Sequence, residues 1–208
     1  MTGKLQAGAT LPDFELPDDT GAIHRLSELQ GDNPMILMLA RGEHCPRERQ
    51  HQREIVTFYN WCPVAFTAVV SIFPNNIHDT NKMRIATGAF WTYLADVDLE
   101  VQRTLEIREY TDPHHDANVP ITLVLAPGLV IEKIYTGYYF WGRPSPYQLW
   151  DDLANLFRRI KPDFDPLTDE AKAAWEAAQK NGGKKAPTAR RRATAPSRQR
   201  ASAARAAR

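Results

Sequence analysis

The chain of 208 residues contains only two cysteines, Cys45 and Cys62. Two cysteines cannot build the dense disulfide framework of small secreted domains, and a chain of this length can form a hydrophobic core without one. The second position of a CxxC redox pair, three residues after Cys45, is occupied by Glu48. The composition therefore excludes a disulfide scaffold and a dithiol pair within this turn, and it leaves single-cysteine chemistry open.

Long apolar segments are also missing. No apolar run approaches the roughly 18 residues of a membrane span, and residues 1–5 do not begin like a signal peptide. We therefore expect a cytoplasmic protein that makes no membrane contact. In such a reducing compartment, a cysteine in a special setting is more often chemical than structural.

Acidic residues are absent from the end of the chain. Residues 180–208 hold ten of the 26 Lys and Arg and no Asp or Glu, so residues 1–179 carry 16 basic and 25 acidic residues, a net charge of −9. This segment has almost no large apolar side chains, and it cannot bury enough surface to offset its ordering entropy. We predict a disordered basic tail. It either contacts polyanions non-specifically or remains a solvated extension.

The most informative feature that is present is the stretch Gly42–Pro46, between the apolar run 35–40 and a helical pattern that ends near residue 60. It places Cys45 at a strand-to-helix turn, where the first helical amides lack internal acceptors and the helix dipole favours an anion. Pro46 suits the first helical position. Basic side chains crowd this turn: Arg41, His44, Arg47, Arg49 and Arg53. We predict that Cys45 is held as a thiolate; the alternative is a buried structural cysteine.

Hydrophobic patterns predict an alternation of strands and helices. In chain order they are a hairpin over 12–16 and 23–26, a strand at 35–40, a helix over 46–60, a strand at 64–72, a helix over 78–88, a strand at 90–95, a helix over 99–107, a hairpin over 121–125 and 130–135, and an amphipathic helix over 149–160. We predict an α/β domain over residues 1–165, with apolar strands buried on both faces of a sheet. A peripheral helix over 166–179 and the tail over 180–208 follow it.

Several local motifs occur in an order that resembles one family. They are Pro12-Asp13-Phe14, Arg41-Gly42 with Cys45-Pro46 and Arg49, Leu94-Ala95-Asp96, and Val119-Pro120 followed by Gly128. The chain resembles the peroxiredoxin-like proteins, the alkyl hydroperoxide reductase and thiol-specific antioxidant family of the thioredoxin-like superfamily. The resemblance implies a central mixed sheet flanked by helices, an N-terminal β-hairpin extension, and a cis-proline turn at Val119-Pro120 that faces the cysteine.

The resemblance also implies a function, with two departures at the site. Met38 stands where the family has a proline, and Gly42 stands where it has the Thr or Ser that helps to hold the peroxide. We expect an oxidoreductase without a cofactor, in which Cys45 reduces hydrogen peroxide or an organic hydroperoxide and an external thiol reductant restores it. Backbone amides and an arginine would hold the peroxide. The candidate residues are Arg41, Arg49 and Arg143, with Gly42, His44, Pro46, Val119 and Pro120 shaping the site.

Two other functions remain open at this point. One is a thioredoxin-fold binding protein with weakened catalysis, which uses the basic tail or the aromatic stretch 138–144 to hold a partner. The other is thiol transfer through a mixed disulfide with glutathione. A homodimer is compatible with either.

Three further features of the sequence each have two possible interpretations. Cys62 is expected in the core, because a helix over 46–60 separates it from Cys45 by about 20 Å; a second subunit could still make it a resolving thiol. His114-His115-Asp116 is expected to be a polar loop rather than a metal site, with His114 or His115 near the thiol as an alternative. The aromatic stretch 138–144 is expected to pack over the active face, or else to form a binding surface.

Overall fold

The computed structural model describes residues 4–138, 141–161 and 165–180, which belong to two compact units, 1–162 and 163–208. The first unit contains seven strands and five helices among its described residues. The strands are β1 (Glu15–Pro17), β2 (Ile23–Arg25), β3 (Met35–Leu39), β4 (Ala68–Phe73), β5 (Thr92–Ala95), β6 (Ile121–Ala126) and β7 (Val130–Thr136). The helices are α1 (Leu26–Gln30), α2 (Pro46–Tyr59), α3 (Ile77–Thr87), α4 (Glu100–Leu105) and α5 (Pro146–Ile160).

Five strands form one mixed sheet in the order β5, β4, β3, β6, β7. The pairings of β3 with β4 and of β4 with β5 are parallel, whereas β6 runs antiparallel to both β3 and β7. Strands β1 and β2 form a separate antiparallel hairpin. The predicted α/β class, with a central mixed sheet and an N-terminal hairpin, is confirmed.

The central strand β3 is fully buried and supplies both faces of the sheet. Leu37 and Leu39 join a hydrophobic cluster with residues of the hairpin, α1 and α4. Ile36 and Met38 point to the opposite face, into a cluster with residues of α2, α3 and α5. Successive side chains of a strand alternate between faces, so this one apolar run anchors two helical layers.

The predicted strand over 64–72 begins too early. The structure starts β4 at Ala68 and places a turn before it, in which the Thr67 amide donates to the Cys62 carbonyl over 2.8 Å. Phe66 has φ +50°, a left-handed conformation that a strand cannot contain. Val64 and Phe66 are consequently exposed rather than buried.

The cis-proline expectation is wrong. No cis peptide bond occurs among the described residues, and so Pro120 follows Val119 in the trans form. Hydrogen bonds fix the main chain in this arrangement. The Asn118 amide donates to the Arg41 carbonyl over 3.0 Å, and the Val119 amide donates to the Ile107 carbonyl over 2.7 Å.

The second unit contains α6 (Asp169–Lys180), so the expected peripheral helix extends one residue into the segment predicted as tail. The Thr168 hydroxyl accepts a hydrogen bond from the Ala171 amide at its start. Residues 181–208, which make up the rest of the predicted tail, lie outside the described residues. In the described part of the chain, no helix has both the length and the apolar character needed to cross a bilayer.

Candidate active site

Cys45 occupies the N-cap of α2, six residues after β3 ends at Leu39. Its φ and ψ of −83° and 115° are extended, Pro46 follows in the first helical turn, and the Arg49 amide donates to the Cys45 carbonyl over 3.1 Å. The side chain makes no capping hydrogen bond to the helix amides. The residue is only 6% exposed, yet it belongs to neither hydrophobic cluster. Cys45 is therefore buried without being a member of either cluster.

Arg41 is the charged neighbour that contacts the thiol. The pKa of its guanidinium lies above the ordinary value, chiefly because of the hydrogen bond to Glu109 and further because of the hydrogen bond and charge of Cys45. Its Nε donates to Glu109 Oε2 over 2.6 Å, and its Nη2 donates to Asp112 Oδ2 over 2.9 Å. Two carboxylates thus orient this guanidinium beside the sulfur.

His44 lies on the other side of Arg41. Its Nε2 accepts a hydrogen bond from Arg41 Nη1 over 3.1 Å, and its ring stacks on that of His115, with centroids 3.7 Å apart and planes 3° from parallel. Burial, His115 and Arg41 lower the pKa of His44. His115 therefore reaches the site through His44, while Asp116 turns away and pairs with Arg108 at 3.0 Å.

Asp112 connects these groups. It accepts from the amides of His114 and His115 and lies 3.1 Å from the His115 Nδ1. The bonds from His114 and His115 hold the pKa of Asp112 below its usual range. The donor atoms of His44, Asp112 and His115 lie within 4.8 Å of one another, and these three residues are the set that could hold a metal ion at this site.

Gly42 makes room for the His44 ring. Its φ of +145° lies outside the range of ordinary side chains, and a Cβ atom there would stand 2.7 Å from the His44 Cε1. The Gly42 carbonyl accepts from the Cys45 amide over 3.2 Å. Gly42 stands where the resembled family has Thr or Ser. Glycine is required at this position by the backbone conformation and by the neighbouring His44 ring.

Glu48 lies one turn into α2 and is 1% exposed. Its Oε2 accepts from the Arg41 backbone amide and from Arg143 Nη2, each over 3.2 Å, and its Oε1 accepts from Gln52 over 3.0 Å. Burial raises the pKa of Glu48, but His51, Arg143 and Gln52 outweigh burial and lower the pKa to about 2. The carboxylate thus joins the helix to the backbone of Arg41.

The two other predicted arginines occupy different places. Arg143 has a side chain only 2% exposed and forms an ion pair with Glu48. Arg49 lies four residues after Cys45, on the same face of α2. Its Nη2 reaches the Glu43 carbonyl at 3.4 Å, and its buried Nε makes no hydrogen bond to any residue that the structure describes.

Val119 and Pro120 border a cavity of about 260 Å³ beside Arg41. Gly137 and Tyr138 line it as well, and the Gly137 amide donates to the Pro120 carbonyl over 2.7 Å. Of the aromatic stretch, Tyr138 and Trp141 are 68% and 78% exposed, so they do not pack in the core. Tyr139 and Phe140 lie outside the described residues.

The family comparison agrees with this arrangement. The model of the AhpC/TSA family matches residues 7–134, which is more than half of the chain and runs from before the hairpin into β7. The chain belongs to the AhpC/TSA family. Two Mycobacterium tuberculosis proteins, each named as a candidate peroxiredoxin, are 41% identical to it over 54 residues. That alignment covers 24% of this chain and 35% of the relative, so the chain spans about a third of the length of the curated relatives it matches.

Solved peroxiredoxins share the fold of this AhpC/TSA protein. Peroxidoxin BcpB from Mycobacterium tuberculosis superimposes with a TM-score of 0.62 at 19% identity, over 76% of this chain and 99% of that chain. AhpC from Enterococcus faecalis gives 0.64 at 13% identity, over 76% and 96%. A yeast mitochondrial 1-Cys peroxiredoxin gives 0.63 at 12% identity, over 74% and 78%. The predicted thioredoxin-like fold is thereby confirmed.

Cys62 is a core residue of this AhpC/TSA protein, as predicted. It is 0% exposed and lies in the same hydrophobic cluster as Phe58, whose carbonyl is 3.8 Å from the Cys62 sulfur. Burial raises the pKa of the Cys62 thiol to about 12. Both cysteines are free, and no disulfide joins them.

Three carboxylates of the site were missed by reasoning from the sequence: Glu48, Glu109 and Asp112. Glu48 could have been found, because it shares the inward face of α2 with Gln52 and Ile55, where an unpaired carboxylate would be costly. Glu109 and Asp112 lie in a loop far from Cys45 in the chain, and no periodic pattern marks them.

Proposed function

We propose that this protein is a thiol peroxidase that reduces hydrogen peroxide or organic hydroperoxides through Cys45. The observation that carries the proposal is the position of Cys45 at the N-cap of α2, near the Arg41 guanidinium that Glu109 and Asp112 hold at 2.6 and 2.9 Å. A buried cysteine at a helix N-cap, near a guanidinium aligned by two carboxylates, is suited to nucleophilic chemistry. Membership of the AhpC/TSA family supports the same reaction.

The reaction begins when the Cys45 thiolate attacks the terminal oxygen of the peroxide. The sulfur–oxygen bond forms as the O–O bond breaks, so sulfur is oxidised to a sulfenic acid. The leaving oxygen takes up a proton from water and departs as water or an alcohol. A reductant thiol then condenses with the sulfenic acid to give a mixed disulfide and water, and a second thiol releases Cys45.

Arg41 and Arg49 are the residues that we propose to stabilise the negative charge on the leaving oxygen. Cys45 is among the groups that raise the pKa of Arg41. Arg49 offers a buried Nε one helical turn from Cys45 that has no acceptor among the described residues. These donors would replace the hydroxyl that Gly42 lacks. Arg143 stays a third candidate, and its ion pair with Glu48 holds its guanidinium in place.

The reductant is proposed to be an external thiol. Cys62 is too deeply buried to resolve the sulfenic acid, and Glu48 occupies the neighbouring CxxC position. The printed title of the yeast 1-Cys structure describes resolution through glutathione and thioredoxin systems. We propose the same classes of reductant here, so the mixed disulfide with glutathione becomes a step of the peroxidase cycle.

The test is peroxide consumption by the purified full chain in the presence of dithiothreitol or thioredoxin. Wild-type protein and Cys62→Ala are expected to turn over hydrogen peroxide or cumene hydroperoxide, whereas Cys45→Ser is expected to be inactive. After one equivalent of peroxide without reductant, mass spectrometry should find a dimedone adduct on Cys45. Equal turnover in wild type and Cys45→Ser would reject the mechanism.

The binding-protein alternative is less favoured because of the family assignment. Alkylation by iodoacetamide separates the two: Cys45 should react faster at neutral pH in the folded protein than in the same protein unfolded in urea. Slower reaction in the folded state, with no peroxide turnover, would favour the binding protein. A cytoplasmic location, a homodimer, and a disordered tail over 180–208 that contacts polyanions stay predictions.

A further inference from the structure

A group of metal-ligand side chains lies beside the proposed peroxide site, and no metal ion enters the chemistry above. The group consists of His44, Asp112 and His115, contributed by the turn before α2 and by the loop before β6. Two imidazoles and one carboxylate form a donor set that suits zinc and related transition metals.

The spacing of the donor atoms is close to that of a coordination shell. Donors bound to Zn²⁺ at about 2.0–2.1 Å in a tetrahedron are about 3.4 Å apart. His44 Nε2 lies 3.4 Å from Asp112 Oδ2, and His115 Nδ1 lies 3.1 Å from either Asp112 oxygen. The third pair lies within 4.8 Å. The His44 and His115 rings are stacked with planes 3° from parallel, so one ring must turn before both can bind the same ion. The His115 side chain is 46% exposed and has the room to turn.

A cavity beside the site has an acidic wall and is open to solvent. His44 and His115 line an open polar cavity of about 380 Å³. Carboxylates on its wall add negative charge: Glu43, Asp79 and Asp116. Asp79 and Asp116 are partly neutralised by Lys82 and Arg108, at 2.8 and 3.0 Å. Solvent in this cavity would complete the coordination shell.

We propose that His44, Asp112 and His115 form a binding site for a divalent transition metal of the zinc type. Arg41 limits the affinity, because its Nη1 donates to the same His44 Nε2 that would ligate the metal, and its Nη2 donates to Asp112. Metal and Arg41 therefore compete for two acceptors. Occupancy would withdraw both from Arg41 and disturb the guanidinium beside Cys45; this second part rests on the proposed peroxidase function.

Cobalt is the probe for the site, because Co²⁺ takes zinc positions and absorbs visible light. The full chain carries Cys45→Ser, so that the active thiol adds no ligand, and it is titrated with Co²⁺. The bound Co²⁺ is then displaced with Zn²⁺. One equivalent is expected to bind. In the same background, His115→Ala should bind at least about tenfold more weakly. His114→Ala, which removes the neighbouring histidine of the same loop, should bind as before.

A second measurement does not depend on variants. Imidazole resonances of His44 and His115 should shift on addition of Zn²⁺, while those of His24 and His78 should not. The absence of saturable Co²⁺ binding, or equal loss in His114→Ala and His115→Ala, would overturn the site.

Coupling to Arg41 has its own readout. Zn²⁺ should slow peroxide turnover reversibly in wild type and in His114→Ala, and it should have little effect on His115→Ala. Unchanged turnover at a zinc concentration that fills the site would overturn the coupling alone. If the protein has no peroxidase activity, the cobalt titration still decides whether the site exists.

Discussion

The Nε of Arg41 donates a 2.6 Å hydrogen bond to Oε2 of Glu109, which joins the end of β3 to the loop before β6. This bond, together with that to Asp112, determines where the guanidinium lies relative to Cys45. Arg41 therefore depends on a carboxylate that is distant in the chain for its position beside the thiol.

Removal of the Arg41 guanidinium should slow peroxide reduction strongly. Arg41→Ala is expected to lower the second-order rate constant of Cys45 oxidation about a hundredfold or more, because a preorganised donor to the developing charge is lost. Glu109→Gln should lower the same rate constant by between about tenfold and a hundredfold, because it leaves the arginine in place but weakens its alignment. Stopped-flow fluorescence measures both. A larger loss in Glu109→Gln than in Arg41→Ala would contradict this order of roles.

Gly42 should not tolerate a side chain. Gly42→Ala is expected to lower the free energy of unfolding by about 1–3 kcal/mol, because φ is +145° and the new Cβ would meet the His44 ring. Urea denaturation measures the change. Gly128→Ala is the comparison: its φ is +80°, but nothing lies within 4 Å of an added Cβ. An equal loss of unfolding free energy in Gly42→Ala and Gly128→Ala would mean that the His44 contact contributes nothing.

Ionisation of Glu48 should make the free energy of unfolding depend on pH. Its folded-state pKa of about 2 lies below the ordinary 4.5, so its charged form stabilises the fold above pH 4.5, and this contribution is lost as the pH falls toward 2. The groups that face it are His51 and Gln52 on α2, the Arg41 amide and Arg143. Glu48→Gln should cost about 3 kcal/mol at pH 7, because it leaves Arg143 buried without its counter-charge.

The difference in unfolding free energy between Glu48→Gln and wild type should therefore shrink below pH 4.5. Glu54→Gln, on a more exposed part of the same helix, should cost less than about 1 kcal/mol. Urea melts over a pH series test both. A difference that stays constant from pH 7 to pH 3 would show that the Glu48 charge is not involved.

Cys62 should matter for stability and not for catalysis. Cys62→Ala is expected to keep the peroxide turnover of wild type and to lower the unfolding free energy by about 1–2 kcal/mol, because it opens a small cavity beside Phe58. Thermal melts and the peroxide assay measure the two effects on one sample. Loss of turnover with a normal melting temperature would instead make Cys62 a redox partner.

We predict that the basic tail makes a salt-dependent contact with polyanions. The full chain should bind a short DNA duplex at low salt and release it as salt increases, whereas a chain ending at residue 180 should not bind. Electrophoretic mobility shifts at several salt concentrations measure this. If the shortened chain binds equally well, the segment is not the contact, and the prediction fails.

Local patterns in the sequence determined the elements and the position of the thiol. The apolar run of β3, the proline after Cys45 and the repeat of Leu149 and Leu153 along α5 each act over a few residues, so they can be recognised without the fold. The motifs around Cys45 also indicated the AhpC/TSA family. The start of β4 was predicted too early, because the closing bond from Thr67 to Cys62 leaves no periodic signal.

Only the tertiary structure decided which charges surround Cys45. Arg41 was a candidate from proximity in the chain, but its partners Glu109 and Asp112 arrive through the pairing of the segment at Asn118 with residues 40–41. Arg143 was a candidate for the peroxide, and its ion pair with Glu48, 95 residues away in the chain, appears only in the fold. Short-range patterns reflect backbone preference and burial, whereas the partners of a buried charge depend on how distant loops are brought together. For this physical reason the position of the Cys45 sulfur could be predicted from the sequence, whereas its charged neighbours are determined by the tertiary fold.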